Sequence, residues 1–212
     1  MKIPSVCALL TASCFLFLLP FTFYIWVFSS RPSLYTNLTE KSGLFLSESE
    51  IREAGRELYH GLLDTGKVIF SSGRVILTEE ERIHMQDVSA LLRLNRYTCV
   101  ISFFILIGLF WFVKVTKQWK VLLFLCIGWL VGMILFITVG SLFFDQLFFL
   151  FHRVLFRNYL WLLPVESPLL RLFPADFFFR HFIGLFSFIT GFLLFVMISA
   201  YQMSQRSHHE NS

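Results

Sequence analysis

Four stretches of the chain carry no charged residue: 3–30, 97–113, 121–144 and 181–205, which are 28, 17, 24 and 25 residues long. A helix needs roughly 20 mostly apolar residues to cross the hydrocarbon of a bilayer, with a workable range of about 17–25. Three stretches meet that length outright. The second meets it if its helix begins near Leu91, leaving Arg93 and Arg96 to snorkel toward the headgroups. Hydrophobic residues make up 56% of the chain and charged residues 15%, against about 25% charged in a soluble domain. Water is therefore the wrong solvent for most of this sequence, and disorder is excluded by the same hydrophobicity. The expectation is an all-α integral membrane protein, one membrane domain over 1–212. It has four transmembrane helices, at about 6–29, 91–113, 121–144 and 182–203, and two structured extracytoplasmic loops, at about 30–90 and 145–181.

Lys2 ahead of the first run also fits a secretory signal peptide. The apolar run is long, however, and Thr11-Ala12-Ser13-Cys14 lies too early in it for a cleavage site, so an uncleaved helix is expected. The formal net charge is +4, which in a soluble protein would raise the question of nucleic acid. Its location answers that question. Residues 1–5, 114–120 and 204–212 together carry the whole +4, while the loops 31–96 and 145–180 carry −1 and +1. Short basic connections face the cytoplasm. Both termini are thus expected on the cytoplasmic side and both long loops outside, which in a bacterial cell means the outer leaflet of the plasma membrane, with membrane phospholipids rather than nucleic acid as the charge partner. Cys7, Cys14, Cys99 and Cys126 all fall in the spans, so no loop disulfide is expected, and no cysteine–histidine spacing suggests a metal.

The first loop shows order. Ser47 with Glu50 and Thr78 with Glu81 each make a capping box. Ile51, Leu58 and Leu62, with Ala54 or Gly55 between, give an amphipathic helix that ends within Gly61–Gly66. A short hairpin is expected from 66–77, where Gly66-Lys67-Val68-Ile69-Phe70 and Arg74-Val75-Ile76-Leu77 flank Ser71-Ser72-Gly73. From Glu79 no breaker appears before the second span, so 79–113 reads as one long helix or a bent pair. The second loop is unusually apolar: Leu142–Arg157 runs the third span past its exit, and further Leu, Phe and Trp follow up to Pro174. The loop belongs in the interface, where Arg153, Arg157, Arg171 and Arg180 can meet lipid phosphates.

Polar side chains set in apolar text indicate chemistry. His152 lies between Phe151 and Arg153, and His84 stands on the same side, in the helix leading into the second span. Two imidazoles at one face of a bilayer suit acid–base work near neutral pH. Asp87, three residues beyond His84, shares its helix face and is placed to orient it. The alternative is a packing or lipid-contacting role for both rings, in a non-catalytic protein that senses or scaffolds at the cell surface. Distance is the obstacle to the catalytic reading. A straight helix rises about 1.5 Å per residue, which puts His84 about 20 Å beyond Tyr97. The second loop must climb, or the helix bend, for the rings to meet. No glycine loop for phosphate and no G-x-S-x-G nucleophile elbow is present.

Four spans, a long first loop, Ile83-His84-Met85-Gln86-Asp87-Val88, Leu150-Phe151-His152, Trp161-Leu162-Leu163 and Leu172-Phe173-Pro174-Ala175-Asp176-Phe177-Phe178 together look like one family. It is the bacterial membrane proteins, formerly a domain of unknown function, that include the lipoprotein intramolecular transacylases. The resemblance covers nearly the whole chain, and the histidine motifs are its specific part. This chain departs from it after the tryptophan, with Pro164-Val165-Glu166 in place of the Asp-Pro that members tend to carry. The resemblance implies that His84 and His152 carry the activity. The implied reaction is transfer of the sn-2 acyl chain of an S-diacylglyceryl group to the α-amine of the N-terminal cysteine of a diacylated lipoprotein, giving the lyso form. His84 steered by Asp87 would then take the amine's proton and His152 would hold the oxyanion or protonate the leaving oxygen, or the reverse. Arg153 and Arg157 would help to hold developing charge. No cofactor or metal is called for, and a monomer is expected.

Overall fold

In a computed structural model of the chain, residues 3–41, 47–65 and 77–209 are described. The hairpin expected over 66–77 falls almost wholly outside them. The described residues form eight α-helices and one π-helical turn, with no strand: α1 (Ile3–Ser29), α2 (Pro32–Lys41), α3 (Glu48–His60), the π turn (Gly61–Thr65), α4 (Glu79–Thr116), α5 (Trp119–Leu142), α6 (Phe144–Leu155), α7 (Pro168–Leu172) and α8 (Ala175–His209). They fall into two compact units.

The first unit gathers residues 1–24, 96–142 and 183–212. Its helices belong to four that are long and apolar enough to cross a membrane. Leu16, Leu109, Val113, Leu122, Cys126, Ile189 and Leu193 are buried, and Phe17 stacks on Trp129 at 5.6 Å and on Phe186 at 6.3 Å. The outward faces are equally apolar, with Phe124 at 76% and Phe195 at 69% exposure. A surface of that kind is matched by lipid tails rather than by water. Several hydroxyls here donate to carbonyls of their own helix, as lipid demands of polar groups. Ser13 Oγ donates to Leu10 O at 2.7 Å, Thr22 Oγ1 to Leu18 O at 2.7 Å and Ser102 Oγ to Thr98 O at 2.7 Å. The two-residue link between α4 and α5 turns without a glycine. Lys117 takes a left-handed φ of 54°, and Gln118 N donates to Val113 O at 3.1 Å, closing the end of α4 as a Schellman turn does.

The second unit gathers residues 25–95 and 143–182. Both capping boxes form. Ser47 N donates to Glu50 Oε2 at 2.8 Å and Thr78 N to Glu81 Oε2 at 2.7 Å, each fixing where a helix starts. Ala54, Gly55, Leu58 and Leu62 are buried, the face that the 3.6-residue period marks. The core around them joins Tyr35, Leu63, Leu77, Met85 and Leu169. Tyr35 also donates its hydroxyl to Ser29 O at 2.8 Å, and burial pushes its phenol above the ordinary range.

Two local details refine the expectations. Within the expected end at Gly61–Gly66 the α-helix gives way to a π turn: Gly61 keeps right-handed angles (φ −60°, ψ −44°), and the described helix runs to Thr65. The wider turn breaks the i→i−4 ladder, and Ser89 Oγ donates to Leu62 O at 2.6 Å, so that carbonyl keeps a partner. Arg93, expected to snorkel, donates to Ser89 Oγ at 2.9 Å. The second detail is at the end of the third span. The helix stops at Leu142, and a separate, strongly amphipathic helix, α6, follows after Phe143.

Gly55 is required by a close approach. A Cβ at this position would meet the Thr36 backbone at 2.8 Å, so α2 can lie against α3 only if residue 55 has no side chain. Replacing Gly55 with Val should lower unfolding stability by about 1–3 kcal/mol, the usual cost of forcing extra carbon into a packed contact. Thermal unfolding in detergent checks this, and an unchanged midpoint would contradict the packing described.

Candidate active site

α4 begins with three glutamates, which suit the positive end of a helix dipole. The third, Glu81, is 1% exposed. A buried carboxylate is tolerable only if donors surround it. Oε2 accepts from Thr78 N. Oε1 accepts from Leu169 N at 3.4 Å and, in a short hydrogen bond, from Ser167 Oγ. Ser167 in turn caps α7, accepting from Leu170 N at 3.3 Å, and Pro168 suits the first turn of that helix. Glu81 therefore fastens the start of α4 to the segment that follows α6.

One turn along α4 from Glu81 stands His84. Its ring lies 6.1 Å from that of His152 on α6, centroid to centroid, with the planes 38° apart. The distance obstacle raised by helix geometry is removed by the second loop: α6 and the chain after it pack beside the first turns of α4. Both rings are nearly covered, His84 at 8% and His152 at 9% exposure. Phe156 meets His84 edge-on at 4.9 Å, and Phe148 and Trp161 lie 4.2 Å and 5.0 Å from His152. Among the described residues, aromatic side chains thus enclose both rings. A cavity of about 460 Å3 lies elsewhere in this unit, lined by Pro32, Thr36, Arg52, Arg56, Tyr59 and His60.

The protons can be partly assigned. His152 Nδ1 is 2.8 Å from Phe148 O. A carbonyl can only accept, so Nδ1 carries the hydrogen and the lone pair of the neutral ring is on Nε2. His84 Nδ1 is buried with no hydrogen-bond partner. Burial lowers the His84 pKa to about 4, helped by the neighbouring His152 and opposed by the charge of Asp87. Burial also lowers His152, against the raising effect of its bond to Phe148. Both rings are therefore neutral near pH 7.

The other residues singled out by sequence are placed less directly. Asp87 does not hydrogen-bond to His84 Nδ1. Its Oδ2 accepts from Asn158 Nδ2 at 2.9 Å. Arg153 and Arg157 are exposed, and neither guanidinium makes a hydrogen bond or ion pair among the described residues. Asn158 was not legible as part of the site. A single amide after the end of α6 belongs to no periodic pattern, and its partner is 71 residues away. Among the described residues no group of three or more histidine, cysteine or acidic side chains is placed to hold a metal.

A family model described as lipoprotein intramolecular transacylase Lit matches residues 5–178. The fold is similar to the in meso structure of the membrane integral lipoprotein intramolecular transacylase Lit from Bacillus cereus. The TM-score is 0.75 and the identity 20%, over 96% of this chain and 97% of that one. Two variants of the same Bacillus cereus protein, with a histidine changed to arginine or to alanine, match comparably. Their TM-scores are 0.75 and 0.73, their identities 19% and 20%, over 96% of this chain and 93% and 94% of theirs. A search of the curated proteins finds no match.

The Glu81 clasp makes a specific demand. Glu81→Ala leaves Ser167 Oγ and the amides of Thr78 and Leu169 without their acceptor, and should cost about 2–4 kcal/mol of stability. Ser167→Ala removes one donor and should cost about 1–2 kcal/mol. Denaturation of the purified protein measures both, and equal stability of Glu81→Ala and wild type would refute the clasp.

Proposed function

The chain belongs to the lipoprotein intramolecular transacylase family, and on that premise we propose how its two histidines move an acyl group. It is a multi-pass membrane acyltransferase working on the diacylglyceryl group of lipoproteins. The proposal is that the sn-2 acyl chain passes to the α-amine of the lipoprotein's N-terminal cysteine. The observation that carries it is the 6.1 Å approach of His84 and His152, two rings 68 positions apart in sequence.

Amine and ester sit on the same molecule, so positioning alone removes much of the barrier and no acyl-enzyme is needed. The α-amine arrives as an ammonium. His152 Nε2, the free lone pair of a ring whose Nδ1–H is tied to Phe148, accepts its proton. The amine nitrogen attacks the ester carbonyl, and the tetrahedral oxyanion takes a hydrogen bond from His84. The bond from the acyl carbon to the glyceryl oxygen breaks as the imidazolium returns a proton to that oxygen. One further proton leaves to solvent, and an amide and a free sn-2 hydroxyl remain. This gives His152 rather than His84 the role of base, because its bond to Phe148 O fixes the tautomer that leaves Nε2 free to accept. Arg153 and Arg157, exposed beside His152, have the charge to hold the lipid headgroup region rather than the oxyanion.

The same reading places the histidines at the outer leaflet of a bacterial plasma membrane, with both termini cytoplasmic, because the whole net positive charge lies on the short connections. Exposed Phe149, Leu150, Phe151 and Val154 of α6 give the acyl chains an apolar approach. A diacylated lipoprotein then enters by parting the aromatic enclosure. Because one chain supplies both rings, a monomer suffices.

Expression in a bacterium whose lipoproteins stay diacylated, followed by mass spectrometry of the N-terminal lipopeptide, tests the reaction. Wild type should yield the N-acyl, S-monoacylglyceryl product. His84→Ala and His152→Ala should lower its rate by about 10²–10⁴, the usual contribution of a positioned acid or base. Product at the wild-type rate from either variant would refute the assignment.

The pH dependence has a definite sign. A lowered pKa keeps the rings neutral to more acidic pH, so activity persists below the ordinary histidine value of about 6.5 and fails only as pH falls through the lowered values. A rate profile of the purified enzyme whose acid limb sits at or above 6.5 would contradict the burial of the pair.

A further inference from the structure

The chain has a third polar group between the two histidine-bearing segments. Asn158 lies in the turn after α6, and three of its polar atoms have partners. Nδ2 donates to Asp87 Oδ2 at 2.9 Å, Oδ1 accepts from Leu160 N at 3.1 Å, and its backbone oxygen accepts from Trp161 Nε1 at 3.0 Å. Asp87 is three residues beyond His84, and its charge acts on that ring. The Trp161 indole lies 5.0 Å from the His152 ring and 5.1 Å from Phe149, and is itself buried. One residue thus meets both neighbourhoods: its side-chain amide holds Asp87, whose charge acts on His84, and its backbone carbonyl holds the indole that walls His152.

We propose that Asn158 is a positioning residue of the acyl transfer: the bonds of its side chain to Asp87 and to Leu160 N, which fix the turn whose backbone carbonyl holds Trp161, set the separation and orientation of the His84 and His152 rings. The inference rests on the acyltransferase reading of those two rings. The chemistry of the contact is directional. An amide can donate to Asp87 and accept from Leu160 at once, and only asparagine among residues of this size does both. A carboxylate at 158 keeps the bond from Leu160 but faces Asp87 with a like charge. Exchanging the two residues restores the pair, because an amide at 87 donates to a carboxylate at 158 that still accepts from Leu160. The negative charge is retained and only moves across the hydrogen bond. Misplacing reacting groups by about 1 Å costs on the order of a hundredfold, so a modest shift of either ring is measurable.

The test uses full-length enzyme in detergent or vesicles, a synthetic diacylated lipopeptide, and mass spectrometry of the lyso product. Thermal unfolding is followed on each variant. Asn158→Ala should lower kcat by about tenfold or more at every pH, with little change in KM. Asn158→Asp should lose activity increasingly as pH rises, because the two carboxyl groups can share a proton only while one is protonated. The exchange Asp87→Asn with Asn158→Asp should recover most of the rate lost by either single change. A residue that merely supports the fold would follow thermal stability and give no pH-dependent loss. The proposal is overturned if Asn158→Ala and Asn158→Asp turn over like wild type. It is equally overturned if the losses of the two single changes simply multiply in the exchanged protein. Absence of lyso product from wild type would instead strike at the acyltransferase reading itself, so the two failures are distinguishable.

Discussion

A carboxylate removed from water has to be given donors, and Glu81 obtains them from two distant parts of the chain. Thr78 supplies one at the start of α4. Ser167 and Leu169 supply the others at the start of α7. That constraint ties the first turn of α4 to the chain that leaves α6. Once it is met, His84 and His152 have little freedom to be anywhere but beside each other. Removing a single partner from such a buried charge is far more costly than never having built it, which keeps the arrangement in one register. Asn158 adds a second tie further along the same helix, through Asp87.

The aromatic enclosure follows from the composition of α6 and the turn after it. Phe148, Phe156 and Trp161 exclude water from both imidazoles, and that exclusion lowers their affinity for protons. Neutral imidazoles in an apolar setting fit a substrate that brings its own ester, its own nucleophile and its own ionised amine. The protein need supply only a proton acceptor, a donor to the oxyanion and a shape. The short link between the His152 ring and the backbone, Nδ1 to Phe148 O, fixes which nitrogen is available, a detail usually as important as the identity of the ring.

Much of this was legible in the sequence because membrane helices and capping boxes are local patterns. Charge-free runs of the right length gave four apolar helices, and Ser47–Glu50 and Thr78–Glu81 gave two helix starts that the structure reproduces. The histidines stood out because ionisable groups are rare in such text. What the sequence concealed was long-range and non-periodic. Glu81 reads as one half of a capping box, and nothing in it announces Ser167. Asp87 reads as a partner for His84, three residues away on the same face, yet its hydrogen bond goes to Asn158, 71 residues on. The glycines at 61 and 66 mark where the amphipathic helix ends, but nothing in them announces the π turn between them or that Ser89, 27 residues on, donates to its Leu62 carbonyl.

If His84 and His152 act as a single device, losing one should leave little for the other to do. The rates of lyso product from the two single alanine variants and from the double variant decide this as a double-mutant cycle. A double variant about as slow as the worse single one is the expected result. A double variant slowed by the product of the two single losses would mean that the rings act independently, and would contradict the convergence on which the proposed chemistry rests.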